Sequence, residues 1–140
     1  MKKYDYFISS RWRNRDHVLS LAKKLREKGF AVYCFIEEKY NPGTIREDPE
    51  EVMARFESRQ NWYTDPFVKR IFKRDLDGLR ASKFIIVLLP GGKSTHIEAG
   101  IGYGLGKKLI LIGDQKETES LYLIFSEVYK TSEDFLENLD

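Results

Sequence analysis

Glu98 has the clearest chemical potential in this sequence. It lies one turn into a helical pattern over residues 95–105, among Ala99, Gly100, Gly102 and Gly104. Small residues at that density weaken a helix, so they point to something that must come close, either a sheet or a ligand. A carboxylate at this position can point back over the ends of strands toward a pocket. There it could attack the anomeric carbon of a sugar and form a glycosyl ester, as retaining glycosidases do. The same spacing also fits a surface glutamate on an ordinary helix. Asp75 is the natural second carboxylate, because glycosyl chemistry must protonate a leaving group as well as supply a nucleophile. It could equally hold a base or sugar hydroxyls, or form a surface pair with Arg74.

Two segments supply groups that bind rather than react. Ser9, Ser10 and Arg11 directly follow the first strand-like run, and hydroxyls beside a guanidinium suit a phosphate. Pro90-Gly91-Gly92-Lys93-Ser94-Thr95 joins an apolar run to the helix of Glu98. Backbone amides at such a helix start favour an anion or a polar sugar. Its spacing is not that of a Walker A loop, and a Gly-Gly pair also serves simply to turn the chain. The expected substrate contacts are Ser9, Ser10, Arg11, Gly91, Gly92 and Ser94. His17 and His96 have no metal-ligand spacing, and the lone Cys34 excludes an internal disulfide and a Cys-rich zinc site. The chemistry calls for no metal and no cofactor.

The elements that must position these groups alternate along the chain. Residues 4–9 read as a strand, and Val18, Leu19, Leu21, Ala22 and Leu25 recur at helical spacing after a cap at Asn14 or Asp16. Gly29 stops that helix and residues 30–36 form a second strand, which makes a parallel crossover unit. Residues 37–63 are a polar insertion containing a helix over 50–58, with Asp48 as cap and Pro49 in its first turn. Trp62 and Tyr63 either line a site or pack the insertion onto the body. Thr64-Asp65-Pro66 opens a helix that runs to about Ala81. The unbroken apolar run 84–89 is a central strand buried on both faces. A strand over 109–112, an edge strand over 121–125 and a helix over 133–139 capped by Ser132 complete the pattern. Together they predict one domain over residues 1–140, a three-layer α/β/α sandwich with about five parallel strands. In such sheets the site lies outside the carboxyl ends of the strands.

Composition narrows the partners. The 140 residues are 41% hydrophobic and 33% charged, which excludes a mostly disordered chain. A net charge of +2, with the basic residues dispersed, argues against a nucleic-acid polymer as partner. No apolar run approaches a membrane span, and no signal peptide is evident at the N-terminus. A cytoplasmic protein acting on a small molecule is the simplest expectation.

Segments 71–89 and 94–110, with Glu98-Ala99-Gly100 and Gly106-Lys107-Lys108 as the most specific part, resemble the nucleoside 2-deoxyribosyltransferase family, including its 2'-deoxynucleoside 5'-phosphate N-hydrolases. The opening Tyr4-Asp5-Tyr6-Phe7-Ile8-Ser9-Ser10-Arg11 fits the same pattern. The resemblance implies a flavodoxin-like fold, a homodimer or larger oligomer, and a nucleoside or nucleotide substrate. It implies that the glutamate at 98 carries the deoxyribosyl group covalently, with the aspartate at 75 assisting. Ser9, Ser10, Arg11 and Ser94 then fall where a 5'-phosphate is held. The chain departs from the family in Lys93-Ser94, in His96-Ile97, in a first loop without Gly-Pro, and in the insertion 37–63. Residues 4–36 also resemble the opening of a TIR domain, which implies either an NAD glycohydrolase or a non-catalytic interaction module.

Overall fold

The structure is a computed structural model that describes residues 2–117 and 119–139. Five parallel strands form one sheet: β1 (Tyr4–Ser9), β2 (Val32–Cys34), β3 (Ser82–Leu88), β4 (Lys108–Ile112) and β5 (Glu127–Tyr129), in the order β2-β1-β3-β4-β5. This is the flavodoxin-like order, in which the first strand lies between the second and third and the chain reverses direction across the sheet. Strand ends are aligned: Ile8 pairs with Cys34, Ser9 with Val87, Leu88 with Ile112 and Ile112 with Tyr129. All the loops that follow the strands therefore emerge at one edge.

Alternation along each strand divides the core in two. Tyr6, Ile8, Ile86, Leu88, Ile110 and Ile112 face α1 (Arg15–Glu27) and α5 (Ser132–Asn138). Phe7, Ile85, Val87, Leu109 and Leu111 face the opposite layer, α3 (Pro66–Arg80) and α4 (Lys93–Gly104). The central strands are apolar in both registers because both faces are covered.

The insertion contains α2 (Pro49–Glu57), whose Val52 is fully buried in the core on the α1 side. Arg13 bridges from the first loop to Glu50 and Glu57 of α2, at 2.7 and 3.0 Å. Arg15 Nη1 donates to the carbonyl of Glu47 at 2.7 Å. Tyr40 and Asn61, with φ of 65° and 58°, stand near the two ends of the insertion in the left-handed region.

Several expectations are corrected. Residues 121–125 are not a strand: 121–124 belong to a 3-10 helix over Ser120–Ile124, and Phe125 caps its C-terminus. Tyr122 and Phe125 are three apart and turn inward together, whereas Leu121 and Leu123 are exposed. That is helical spacing rather than alternation, and the edge strand is the more polar Glu127–Tyr129. The second strand is only Val32–Cys34, because Phe35–Glu37 coil into a 3-10 turn that leads into the insertion. The cap of α5 is Thr131, whose hydroxyl accepts from the Asp134 amide; Ser132 is the first helical residue. Asp65 caps α3 by accepting from the Phe67 amide, as its place before Pro66 suggests.

Candidate active site

β1 ends at Ser9, which is fully buried. Its hydroxyl donates to Oε1 of Glu98 at 2.6 Å. Glu98 stands one turn into α4, and its helix can lie against the sheet because its inward positions are small. Ala99 is buried, and a Cβ on Gly102 would come within 3.0 Å of the Ile85 side chain. Gly100 and Gly104 face open space, so close approach to the sheet explains only part of the small-residue pattern. The start of α4 is fixed by Thr95, buried, whose Oγ1 accepts from the Gly92 amide at 3.1 Å.

Asp75 reaches the same place from α3. Its Oδ1 accepts from Tyr33 Oη at 3.0 Å and from Arg74 Nε at 2.9 Å, and Arg74 Nη2 lies 2.8 Å away. Arg74 is itself anchored: Nη1 donates to the carbonyl of Lys39 at 2.7 Å and to Asn41 Oδ1 at 2.9 Å. Gly78 makes room for this arrangement, since a Cβ there would lie 2.5 Å from the Tyr33 ring. Asp75 and Arg74 thus form a pair, as one reading of the sequence allowed, but a largely buried one rather than a surface one. Asp77 makes the exposed pair, with Lys73 at 2.6 Å.

The Asp75 charge perturbs Glu98. Burial pushes the Glu98 carboxyl up to about 8, the neighbouring Asp75 charge adds to this, and the Ser9 hydrogen bond and the Arg74 charge oppose it. Burial also raises Asp75, against the Arg74 charge and the hydrogen bonds from Arg74 and Tyr33. At neutral pH the pair therefore rests with a proton on Glu98, while Arg74 favours the ionised form of Asp75. Tyr33 is raised far above its ordinary value by burial and then by the Asp75 charge, so it serves as a hydrogen-bond donor only.

A cavity of about 390 Å³ opens over Glu98 and Asp75. Ser10, Arg11 and Trp12 from the loop after β1, and Gly92 to Thr95 from the start of α4, form one part of its wall. Phe35, Met53 and Phe56 from the insertion and its approach, with Ile71 of α3, form another. Arg11 Nε is buried with no hydrogen-bond partner, and Ser94 and Lys93 are exposed on the wall. Ser10 borders the cavity, but its hydroxyl donates to the Leu88 carbonyl at 2.7 Å and accepts from Asn14 Nδ2 at 3.1 Å. It therefore ties the loop to the sheet. Gly91 lies outside the wall, and a Cβ there would lie 2.7 Å from Thr95. Ser9 meets Glu98 rather than the open cavity.

Tyr33, Asn41, Met53 and Phe56 are brought to the site without any local sequence signal. The aromatic signal at Trp62 and Tyr63 points elsewhere: these residues are 61% and 78% exposed, pack edge-to-face on each other, and lie outside the cavity wall. Cys34 is buried and its thiol is pushed up to about 11 by that burial, which makes it inert near neutral pH. His96 stacks on Tyr122 and hydrogen-bonds its hydroxyl at 2.7 Å, while its other ring nitrogen meets the Gly92 carbonyl at 2.9 Å. His17 borders a second cavity, of about 250 Å³, between α1 and the start of α5. Among the described residues no group of three or more His, Cys, Asp or Glu is placed to hold a metal ion, and no helix is long and apolar enough to cross a membrane.

The fold and site together define a flavodoxin-like α/β protein with a half-buried carboxylate pair at the carboxyl edge of its sheet. Nine chains of solved structures match it. One is the structure of the Clostridium botulinum CMP N-glycosidase BcmB, similar with a TM-score of 0.59 and 20% identity over 97% of each chain. That likeness extends the shared fold over almost the whole length of both chains. No protein-family model and no curated protein matches the chain.

Proposed function

We propose that this chain breaks the N-glycosidic bond of a nucleoside or nucleoside 5'-monophosphate and passes the sugar through an ester on Glu98 to water or to a second base. The observation that carries this is that Glu98 and Asp75 together line a cavity of about 390 Å³, within the range of small-molecule sites. The sequence resemblance to nucleoside 2-deoxyribosyltransferases and the shared fold with a CMP N-glycosidase support it.

In the first step a carboxylate oxygen of Glu98 forms a bond to C1' as the bond from C1' to the base nitrogen breaks. The electron pair of the broken bond leaves with the base, which takes up a proton. The attacking form of Glu98 is the ionised one, reached by loss of its resting proton to solvent, and the departing base takes its proton from water in the cavity. In the second step water, or another base, attacks C1'; the ester bond breaks, the Glu98 carboxylate is restored, and the proton lost by the attacking water or base passes to Asp75 and on to solvent. Ser9 steadies the attacking carboxyl, and Arg11, with Ser94 and Lys93 on the same wall, faces a 5'-phosphate.

Self-association belongs to the same proposal. The layer of α3 and α4 exposes Phe72 (63%), Ile97 (62%) and Tyr103 (59%), whereas no large hydrophobic residue of α1 or α5 is exposed. A second copy would cover that face, and light scattering on the eluting protein would show a mass of twice 16.5 kDa or more.

The deciding experiment is chromatography of bases released from deoxynucleosides, ribo- and deoxyribonucleoside 5'-monophosphates and NAD, with Glu98→Ala alongside. Release that vanishes in the variant supports the proposal. Silence with every substrate, by protein that still folds, overturns it.

A further inference from the structure

Three aromatic residues stand on the cavity wall, Trp12, Phe35 and Phe56, and only Trp12 carries a polar atom. Trp12 is 4% exposed, and its ring centroid lies 6.5 Å from that of Phe35 at a tilt of 54°. Its Nε1 is buried and has no hydrogen-bond partner among the described residues. An indole N–H can only donate, and a buried donor left unpaired costs stability. A ligand that brings an acceptor would remove that cost.

The residues around Trp12 fix it in place before any ligand arrives. Ser10 is bonded to the Leu88 carbonyl, Arg13 to Glu50 and Glu57, Asn14 to Ser10, and Arg15 to the Glu47 carbonyl. These bonds tie the turn Trp12–Asn14 to the sheet and to the insertion, so little ordering is left for binding to supply. Two other donors on the wall are unspent, Arg11 Nε and one N–H of Arg74. Both belong to guanidinium groups: Arg11 suits a 5'-phosphate, and Arg74 lies against Asp75. Trp12 is neutral and stands beside Phe35, where a charged oxygen would be costly to desolvate. A neutral acceptor on a flat ring fits there.

Resting on the glycosidic function above, we infer that the Trp12 indole N–H holds the leaving base by donating to one of its acceptors, a carbonyl oxygen or an unprotonated ring nitrogen. Trp12 thereby sets which base analogues are accepted. One without an acceptor at that place leaves the N–H unpaired again and is rejected.

The test follows the indole proton itself. The chain has two tryptophans, so isotope-labelled protein shows two indole N–H signals, and replacing the exposed one by Trp62→Phe assigns them. Glu98→Gln protein is titrated with nucleoside 5'-monophosphates and with ribose 5-phosphate, which has no base. The Trp12 proton should move downfield with the nucleotide and stay in place with the sugar phosphate. By calorimetry in the same background, Trp12→Phe should raise the nucleotide Kd about tenfold and leave ribose 5-phosphate unaffected. If Trp12→Phe does not fold, benzothienylalanine at position 12, with sulfur in place of the N–H, keeps the ring shape and should give the same loss. A Trp12 signal that stays still on nucleotide binding, one that moves equally with ribose 5-phosphate, or a nucleotide Kd unchanged without the N–H overturns the inference while leaving glycosidic cleavage intact. If no nucleotide is bound or cleaved, the glycosidic function falls and the inference with it.

Discussion

Ser9 donates a 2.6 Å hydrogen bond to Oε1 of Glu98, joining the last residue of the first strand to the second turn of the α4 helix. The bond stabilises the ionised form of a carboxyl group that burial and Asp75 otherwise keep protonated. Removing it with Ser9→Ala should move the Glu98 pKa further up and lower the rate at neutral pH by about tenfold. The rate should recover as the pH is raised, which a merely structural loss would not allow. Glu98→Gln should cost at least about 10³-fold at every pH.

The pH profile of kcat/KM follows from the same group. A nucleophilic carboxylate must be ionised in the free protein, so the rate should climb with pH and level off above about 8. If Glu98 instead acted only as an acid, the profile would fall through that region. Steady-state rates between pH 5 and 9.5 decide between them.

Stability should run the opposite way. The folded pKa of Glu98 is raised from 4.5 to about 8, so across that window the folded chain holds a proton that the unfolded chain has released. The associated stabilisation is complete below the lower value and is lost as pH rises through the upper one, by something on the order of 2 kcal/mol. Denaturant melts of native protein and Glu98→Gln at pH 5 and pH 8.5 should differ in slope accordingly, with the variant flatter.

Arg74→Met leaves Asp75 partly buried without its cation and releases the Lys39 carbonyl and Asn41. The expected loss is about 3 kcal/mol. Arg74→Lys should rescue little of it, because an ammonium cannot reach the carboxylate, the carbonyl and the amide with one planar fork. Chemical denaturation of the two variants measures this.

Gly78→Ala would place a Cβ 2.5 Å from the Tyr33 ring. Repacking should cost about 2 kcal/mol and tilt Tyr33 away from Asp75. Tyr33→Phe removes the same hydrogen bond with the ring left in place and should cost only about 1 kcal/mol. The difference between the two in thermal melting isolates the steric part.

Arg13→Ala should leave global stability within about 1 kcal/mol, since both of its ion pairs involve exposed carboxylates. It should nevertheless raise KM, because α2 carries Met53 and Phe56 to the cavity. Limited proteolysis within residues 37–63 should also accelerate.

By itself the sequence determined the layers and singled out Glu98 as the candidate for chemistry. An apolar run such as Ile85 to Leu88 suits a central strand, which is covered on both faces of the sheet. The Asp65-Pro66 start and the closely spaced small residues after Glu98 likewise act locally, through caps and helix packing. Residues 121–125 were ambiguous because five apolar residues fit either a strand or a helical turn, and only contact with α4 and the sheet chose the turn.

Tertiary structure alone decided the composition of the site. Strand order places Ser9 beside Val87, which brings the loop after β1 next to the start of α4. Crossovers then deliver Tyr33 to Asp75, and Asn41 to the Arg74 beside it, from positions far apart in the chain. The protonation of Glu98 has the same origin: its elevation to about 8 comes from burial and from Asp75 on another helix. Neither local propensity nor spacing encodes such contacts, because they exist only once packing has removed water and set the two helices side by side.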